Sequence, residues 1–211
     1  MLLPLLPVKG CCRQCGRDVP GLDYEYRCED CRVNRPHFDR AASVFRFEEE
    51  ARRLVLDLKF RRHIWLRDDL VDLLEGMAHA RFLINEIGLV LPVPATKFNR
   101  IDRGGNHCAE LAVALARRLN VAYCGHCLKR VGKFARQGGL DERKRRTNVL
   151  GTFAVTWWGK RALKKLPESA PVLVVDDIMT TGSTLSEVAR TLKEAGVEHV
   201  WCLTLARSIR V

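Results

Sequence analysis

The sequence predicts an α/β fold with a mostly parallel sheet and a small cysteine-bearing unit at its N-terminus. Three observations carry that expectation. Val172-Leu173-Val174-Val175 is an unbroken apolar run, the pattern of a central strand covered on both faces. Short apolar runs alternate with segments of helical spacing along most of the chain. Two C-x-x-C pairs, Cys12-x-x-Cys15 and Cys28-x-x-Cys31, precede the first expected strand. The length of 211 residues suits one medium domain with an appendage, and 47% hydrophobic residues is ordinary for a globular protein.

The elements follow in order. A boundary falls near Asn34-Arg35-Pro36, dividing a unit at 1–36 from a domain at 37–211. Beyond it, 42–47 reads as a strand. Ala51, Leu54, Val55 and Leu58 recur at helical spacing, and Leu66, Leu70, Leu73, Leu74 and Met77 mark a second helix. Leu89-Val90-Leu91-Pro92-Val93-Pro94 is a buried strand entering a turn stiffened by proline. Cys108, Leu111, Ala112, Leu115 and Leu119 form an amphipathic helix, with a short strand at 121–123. The stretch 129–148 has no period and reads as a long mobile loop. Strand character resumes at 149–156, and 172–175 is the central strand. A helix runs from about Thr184 to Ala195 with Gly196 as its stop, and 201–205 is a further strand.

Charge narrows the function. The net charge is +11, and residues 128–165 alone hold 12 basic and 2 acidic residues, net +10. Such a segment faces an anion, a polyphosphate or a nucleic acid. No run approaches the ~20 apolar residues of a membrane helix, so no membrane insertion is expected. The apolar start at 1–7 has no basic flank and is broken by Pro4 and Pro7, which argues against a signal peptide. Nine cysteines without a secretion signal point to a reducing cytoplasm.

The cysteines form the first motif. Two C-x-x-C knuckles twelve residues apart suit tetrahedral zinc held by Cys12, Cys15, Cys28 and Cys31, with Cys11 as a spare. A unit of this size cannot bury a core of its own, so a metal staple is physically needed. Four cysteine ligands leave no open position, which makes the site structural. Cys124-Gly125-His126-Cys127 matches the pattern of disulfide exchangers, but it lies between a short strand and the basic loop, not at the head of a helix. Bystander thiols are the expectation there.

The second motif is 172–184. An apolar strand ends in Asp176 and Asp177, a turn of Thr180, Thr181, Gly182, Ser183 and Thr184 follows, and a helix begins. The amides of such a turn and helix start form an anion nest. Adjacent carboxylates suit the vicinal hydroxyls of a sugar. Together they describe a clamp for a ribose 5-phosphate at the C-terminal end of a sheet strand.

This segment resembles the phosphoribosyl-diphosphate (PRPP) signature of type I phosphoribosyltransferases. More narrowly, the chain is similar to the ComF/GntX family of competence-related proteins over nearly all of its length. The resemblance rests on the four cysteines, Lys59-Phe60, Leu91-Pro92-Val93-Pro94, Arg103-Gly104-Gly105-Asn106 with Glu110-Leu111-Ala112, Leu128-x-Arg130, Gln137-x-x-Leu140, Arg143 and Arg146-x-Asn148-Val149. Gly105 stands where the family has an aromatic residue, and Phe134 where it has a threonine.

The resemblance implies a Rossmann-like sheet and Mg²⁺-PRPP as ligand. The 5-phosphate would lie at 180–184 and the ribose hydroxyls at Asp176 and Asp177, taken as the catalytic pair. The diphosphate would lie at Ala95, Thr96 and Lys97, with Arg103, Gln137, Arg143 and Arg146 closing over it. It further implies phosphoribosyl transfer to an unknown acceptor, with single-stranded DNA and the DNA-uptake machinery as partners. The alternative is a non-catalytic PRPP-sensing or single-strand-binding adaptor.

Overall fold

The computed structural model describes residues 10–17, 24, 26–48, 51, 53, 54, 66–95, 106–131 and 150–208. In chain order the elements are α1 (Glu29–Val33), β1 (Arg40–Arg46), α2 (Leu66–Arg81), β2 (Leu89–Pro92), α3 (His107–Arg118), β3 (Ala122–Tyr123), β4 (Leu128–Arg130), β5 (Phe153–Val155), α4 (Trp157–Leu163), β6 (Val172–Met179), α5 (Ser183–Glu194) and β7 (Val200–Arg207). The main sheet has the order β1-β7-β6-β2-β3, with every neighbouring pair parallel. β4 and β5 form a separate antiparallel pair.

The expected central strand is central. β6 pairs with β2 from Leu89↔Val172 to Pro92↔Val175, and with β7 from Val172↔Val200 onward. On one face, Leu70, Leu74 and Met77 of α2 and Leu111 and Leu115 of α3 pack with Val90, Leu173, Val175 and Leu203. On the other, Leu185, Val188 and Leu192 of α5 pack with Leu91, Val172, Val174 and Cys202. Both faces are covered, which is why 172–175 carries no polar residue. α5 ends where Gly196 was expected to stop it, with the Val197 N–H reaching back to the Leu192 carbonyl.

Two details depart from the sequence reading. β6 does not stop at the carboxylates but continues to Met179, because Ile178 and Met179 keep their ladder partners Ala206 and Arg207 on β7. The start of the basic segment is β4, held by pairing of Lys129 with Ala154 and Arg130 with Phe153. The expected loop from 132 to 148 lies outside the described residues, as does most of the helix expected at 51–58.

The cysteine unit packs against the sheet. Cys12, Cys15, Cys28 and Cys31 belong to the same buried cluster as Phe38, Ala41 and Met179. The Gln14 amide donates to the Pro36 and Phe38 carbonyls. Arg207, at the end of β7 and 4% exposed, donates to the Cys15 carbonyl and to its Sγ.

Candidate functional site

The strand order places the site. The connection from β2 leads outward to β3 over one face, and that from β6 leads outward to β7 over the other. The C-terminal ends of β2 and β6 therefore flank a topological switch point, where open α/β sheets bind ligands. β2 stops pairing early: after the Val93 N–H bonds to the Val175 carbonyl, Pro94 turns the chain away. Asp176 and Asp177 follow directly on β6 and are half-buried at this opening.

Local hydrogen bonds hold the two carboxylates. Asp176 Oδ1 accepts from the Asp177 N–H at 2.9 Å and from the Cys108 thiol at 3.4 Å, and Asp177 Oδ1 accepts from the Ile178 N–H at 2.6 Å. Cys108, on the first turn of α3, and the two aspartates offer one sulfur and two carboxylate oxygens within 4.8 Å of one another. Arg130 of β4 completes this side. Its Nε donates to the Pro94 carbonyl at 2.9 Å, and its guanidinium lies 4.8 Å from the centre of the Phe153 ring. Burial pulls the Arg130 pKa down, and the Asp176 charge partly offsets that. Arg130 thus links the turn after β2 to the carboxylate on β6, a role its sequence position did not announce.

The turn after β6 is built for close approach. Gly182 adopts φ +77°, and a Cβ there would lie 2.9 Å from Met179 Cε. Only glycine takes this conformation readily. The Thr181 and Ser183 hydroxyls are 2.7 Å apart, the Ser183 N–H points to Thr181 Oγ1, and α5 starts at Ser183. Thr180 is exposed and Thr184 half-buried at the head of the helix. Ala95 is half-buried just after Pro94, on the β2 side of the opening. Thr96, Lys97, Arg103, Gln137, Arg143 and Arg146 lie outside the described residues.

A cavity of about 530 Å³ adjoins this turn. Thr180, Thr181, Gly182, Ser183 and Ser186 form one wall, and the cysteine unit contributes Arg17, Asp30 and Arg35 to the other. The His37 N–H bonds to Ser186 Oγ at 3.0 Å, tying the two walls together.

The four cysteines converge as expected, and Cys11 is not among them. The sulfurs of Cys12, Cys15, Cys28 and Cys31 lie within 4.8 Å of one another, all buried, with Cys15 and Cys28 at 3.6 Å. Thiolates about 2.3 Å from a tetrahedral zinc stand about 3.8 Å apart, so the donor set fits such an ion. The Cys28 N–H points to Cys12 Sγ at 3.3 Å. Hydrogen bonding to Cys12 pulls the Cys15 thiol down to about 6, and hydrogen bonding to Cys15 does the same for Cys28. Hydrogen bonding to Cys12 pushes Cys31 up. Cys11 Sγ instead accepts from Arg81 Nη1 at 2.7 Å. Cys127 is fully buried, and burial, reinforced by Cys124, pushes its thiol up to about 12.

The phosphoribosyl transferase domain pattern matches residues 102–210. Competence protein F of Haemophilus influenzae is 28% identical over 93% of this chain and 84% of its own. Among solved structures, adenine phosphoribosyltransferase from Thermoanaerobacter pseudethanolicus is similar at 16% identity and a TM-score of 0.41, over 69% of this chain and 82% of that one. DNA utilization protein YhgH of Salmonella typhimurium is 31% identical over 91% of this chain and 82% of its own. The domain match, which spans half of the sequence, and the 31% identical relative establish that the chain belongs to the phosphoribosyl transferase domain family, in its ComF/YhgH branch.

Proposed function

We propose that the protein binds Mg²⁺-PRPP and transfers its phosphoribosyl group to an acceptor met during the use of incoming DNA. The observation that carries this reading is the succession on one strand and turn: two half-buried carboxylates at the switch point, then a hydroxyl-rich turn with Gly182 at φ +77°, then the start of α5. Amides and hydroxyls at 180–184 take the 5-phosphate. Asp176 and Asp177 accept from the ribose hydroxyls. Ala95, with Thr96 and Lys97 beyond it, takes the diphosphate, and Arg103, Gln137, Arg143 and Arg146 supply basic and polar groups around it.

Mg²⁺ comes with the substrate, and the oxygens of Asp176 and Asp177 are the hard donors it prefers. When bound, it helps neutralise the charge of the departing diphosphate. The chain's own part is to hold the ribose while its reacting carbon gains positive character, with Asp176 and Asp177 supplying negative charge beside it. We assign a structural zinc to the four cysteines, residues 1–36 to the ribbon, 37–211 to the transferase-like domain, and the protein to the reducing cytoplasm.

The relatives' names, a competence protein and a DNA utilization protein, favour a second reading: a non-catalytic adaptor that senses PRPP or holds single-stranded DNA. One assay separates the two. Full-length protein with Mg²⁺-PRPP and candidate acceptors, nucleobases and single-stranded DNA ends among them, is followed for diphosphate release. Acceptor-dependent release supports transfer. PRPP binding with no release from any acceptor supports the adaptor.

A further inference from the structure

We propose that Trp157 and Trp158, with Lys160, Arg161, Lys164 and Lys165 beside them, form a platform for single-stranded nucleic acid. The proposal takes its class of partner from the proposed role in DNA use, but the surface is separate from the carboxylate clamp.

Two adjacent tryptophans on the surface call for a reason. Trp157 is 61% exposed and Trp158 64%. The helix that carries them is short and sits very close to its support. Gly159 is buried, and a Cβ there would lie 2.2 Å from the Cys127 carbonyl oxygen. Thr156 caps the helix through the Gly159 N–H and anchors it by donating to the His126 carbonyl at 2.6 Å. The face of α4 that meets the protein is Gly159 with the half-buried Ala162 and Leu163, which pack against the core. The two indoles point elsewhere and take no part in either core cluster.

Their arrangement is that of a binding corner. The rings stand at 81° with centroids 4.7 Å apart, and the Arg161 guanidinium lies 5.8 Å from the centre of the Trp157 ring. Lys160, Arg161, Lys164 and Lys165 are all exposed. No acidic residue occurs between 150 and 167. Flat aromatic faces amid positive charge, with no acidic residue in the surrounding sequence, match a ligand that alternates flat bases with phosphates. The bases must be unpaired, because a duplex keeps its own bases stacked inside. An acidic protein segment would use the charges and leave the rings idle. A lipid surface would need an apolar helix face, and the small apolar face of α4 is turned to the protein.

The test uses full-length protein, a fluorescent oligothymidylate, and a duplex containing the same strand, with intrinsic tryptophan emission recorded in parallel. Wild type is expected to prefer the single strand and to lose tryptophan emission on binding. Trp157→Ala with Trp158→Ala should weaken single-strand binding about tenfold or more, with melting temperature and Mg²⁺-PRPP binding unchanged. Trp157→Phe with Trp158→Phe should recover most of the loss. Lys164→Glu with Lys165→Glu should flatten the slope of log affinity against log salt by about 1.4. Unchanged single-strand affinity in both tryptophan variants overturns the platform. So does an equal loss toward polyglutamate, or toward vesicles containing phosphatidylserine, which makes the patch a general polyanion or lipid surface. PRPP binding without tryptophan-dependent strand binding refutes the platform alone. The reverse result refutes the clamp alone.

Discussion

Arg130 is a charged side chain that the fold uses twice. Its Nε holds the Pro94 carbonyl, fixing the turn after β2, and its guanidinium lies close enough to feel the Asp176 charge. Arg130→Ala is expected to weaken Mg²⁺-PRPP binding about tenfold, the order of effect of losing a charge-assisted contact, while Arg130→Lys recovers little because it lacks the Nε donor. Calorimetric titration of both variants checks this, and wild-type affinity in either would remove Arg130 from the site. At this scale the carboxylates, the glycine turn and the cysteines were legible in the sequence, because each needs a particular residue type at a particular spacing. Arg130 was visible only as part of Leu128-x-Arg130. Its role depends on β4 folding back beside Pro94, which no local pattern announces. Cys108 is similar: read as one apolar position of a helix, it donates to Asp176.

Among the elements, α5 connects the hydroxyl-rich turn after β6 to the small antiparallel pair. Glu187, 3% exposed, accepts from the Gly151 N–H at 2.6 Å and from Arg190 Nε at 2.8 Å. Burial alone would raise its pKa; the Arg190 and Gly151 hydrogen bonds outweigh this and hold it below the usual carboxylate range. A depressed folded pKa means stability that is present above the unfolded value, ~4.3, and lost as pH falls through the folded one. Glu187→Gln is therefore expected to lose about 1–2 kcal/mol near pH 7, with the gap to wild type closing as pH drops below ~4. Melting temperature against pH reads this directly, and a gap that widens in acid would contradict it. The long periodic elements were readable because burial imposes their period. β4 was hidden because Lys129 and Arg130 carry no strand signature, and what holds them, the ladder to β5 and the bond from Arg130 Nε to the Pro94 carbonyl, is long-range. α4 was hidden because its apolar contact with the core is small, made by Gly159, Ala162 and Leu163, while Trp157 and Trp158 stay exposed.

For the whole molecule, the ribbon is less separate than its composition implies. Its cysteines share a buried cluster with Phe38 and Met179, and Arg207 joins Cys15 to the end of the sheet, where it pairs with Met179 next to the turn at 180–184. Removing metal with a chelator should therefore destabilise the entire fold. A structural site contributes several kcal/mol, and at ~2–4 °C per kcal/mol a fall of about 10 °C or more is expected, restored by zinc. An unchanged melting temperature in metal-free protein would show that the cysteines need no ion. No helix among the described residues is long and apolar enough to cross a membrane. On the proposed function, Asp176 and Asp177 hold the ribose of a phosphoribosyl ligand. Asp176→Asn with Asp177→Asn keeps shape and volume but removes two charged acceptors. Hydrogen bonds to charged groups contribute ~1.5–3 kcal/mol each, so Mg²⁺-PRPP affinity measured by calorimetry should fall by about two orders of magnitude or more. Melting temperature should hold or rise slightly, because the neighbouring carboxylates repel each other. Equal affinity in wild type and double variant, with both folded, would contradict the account.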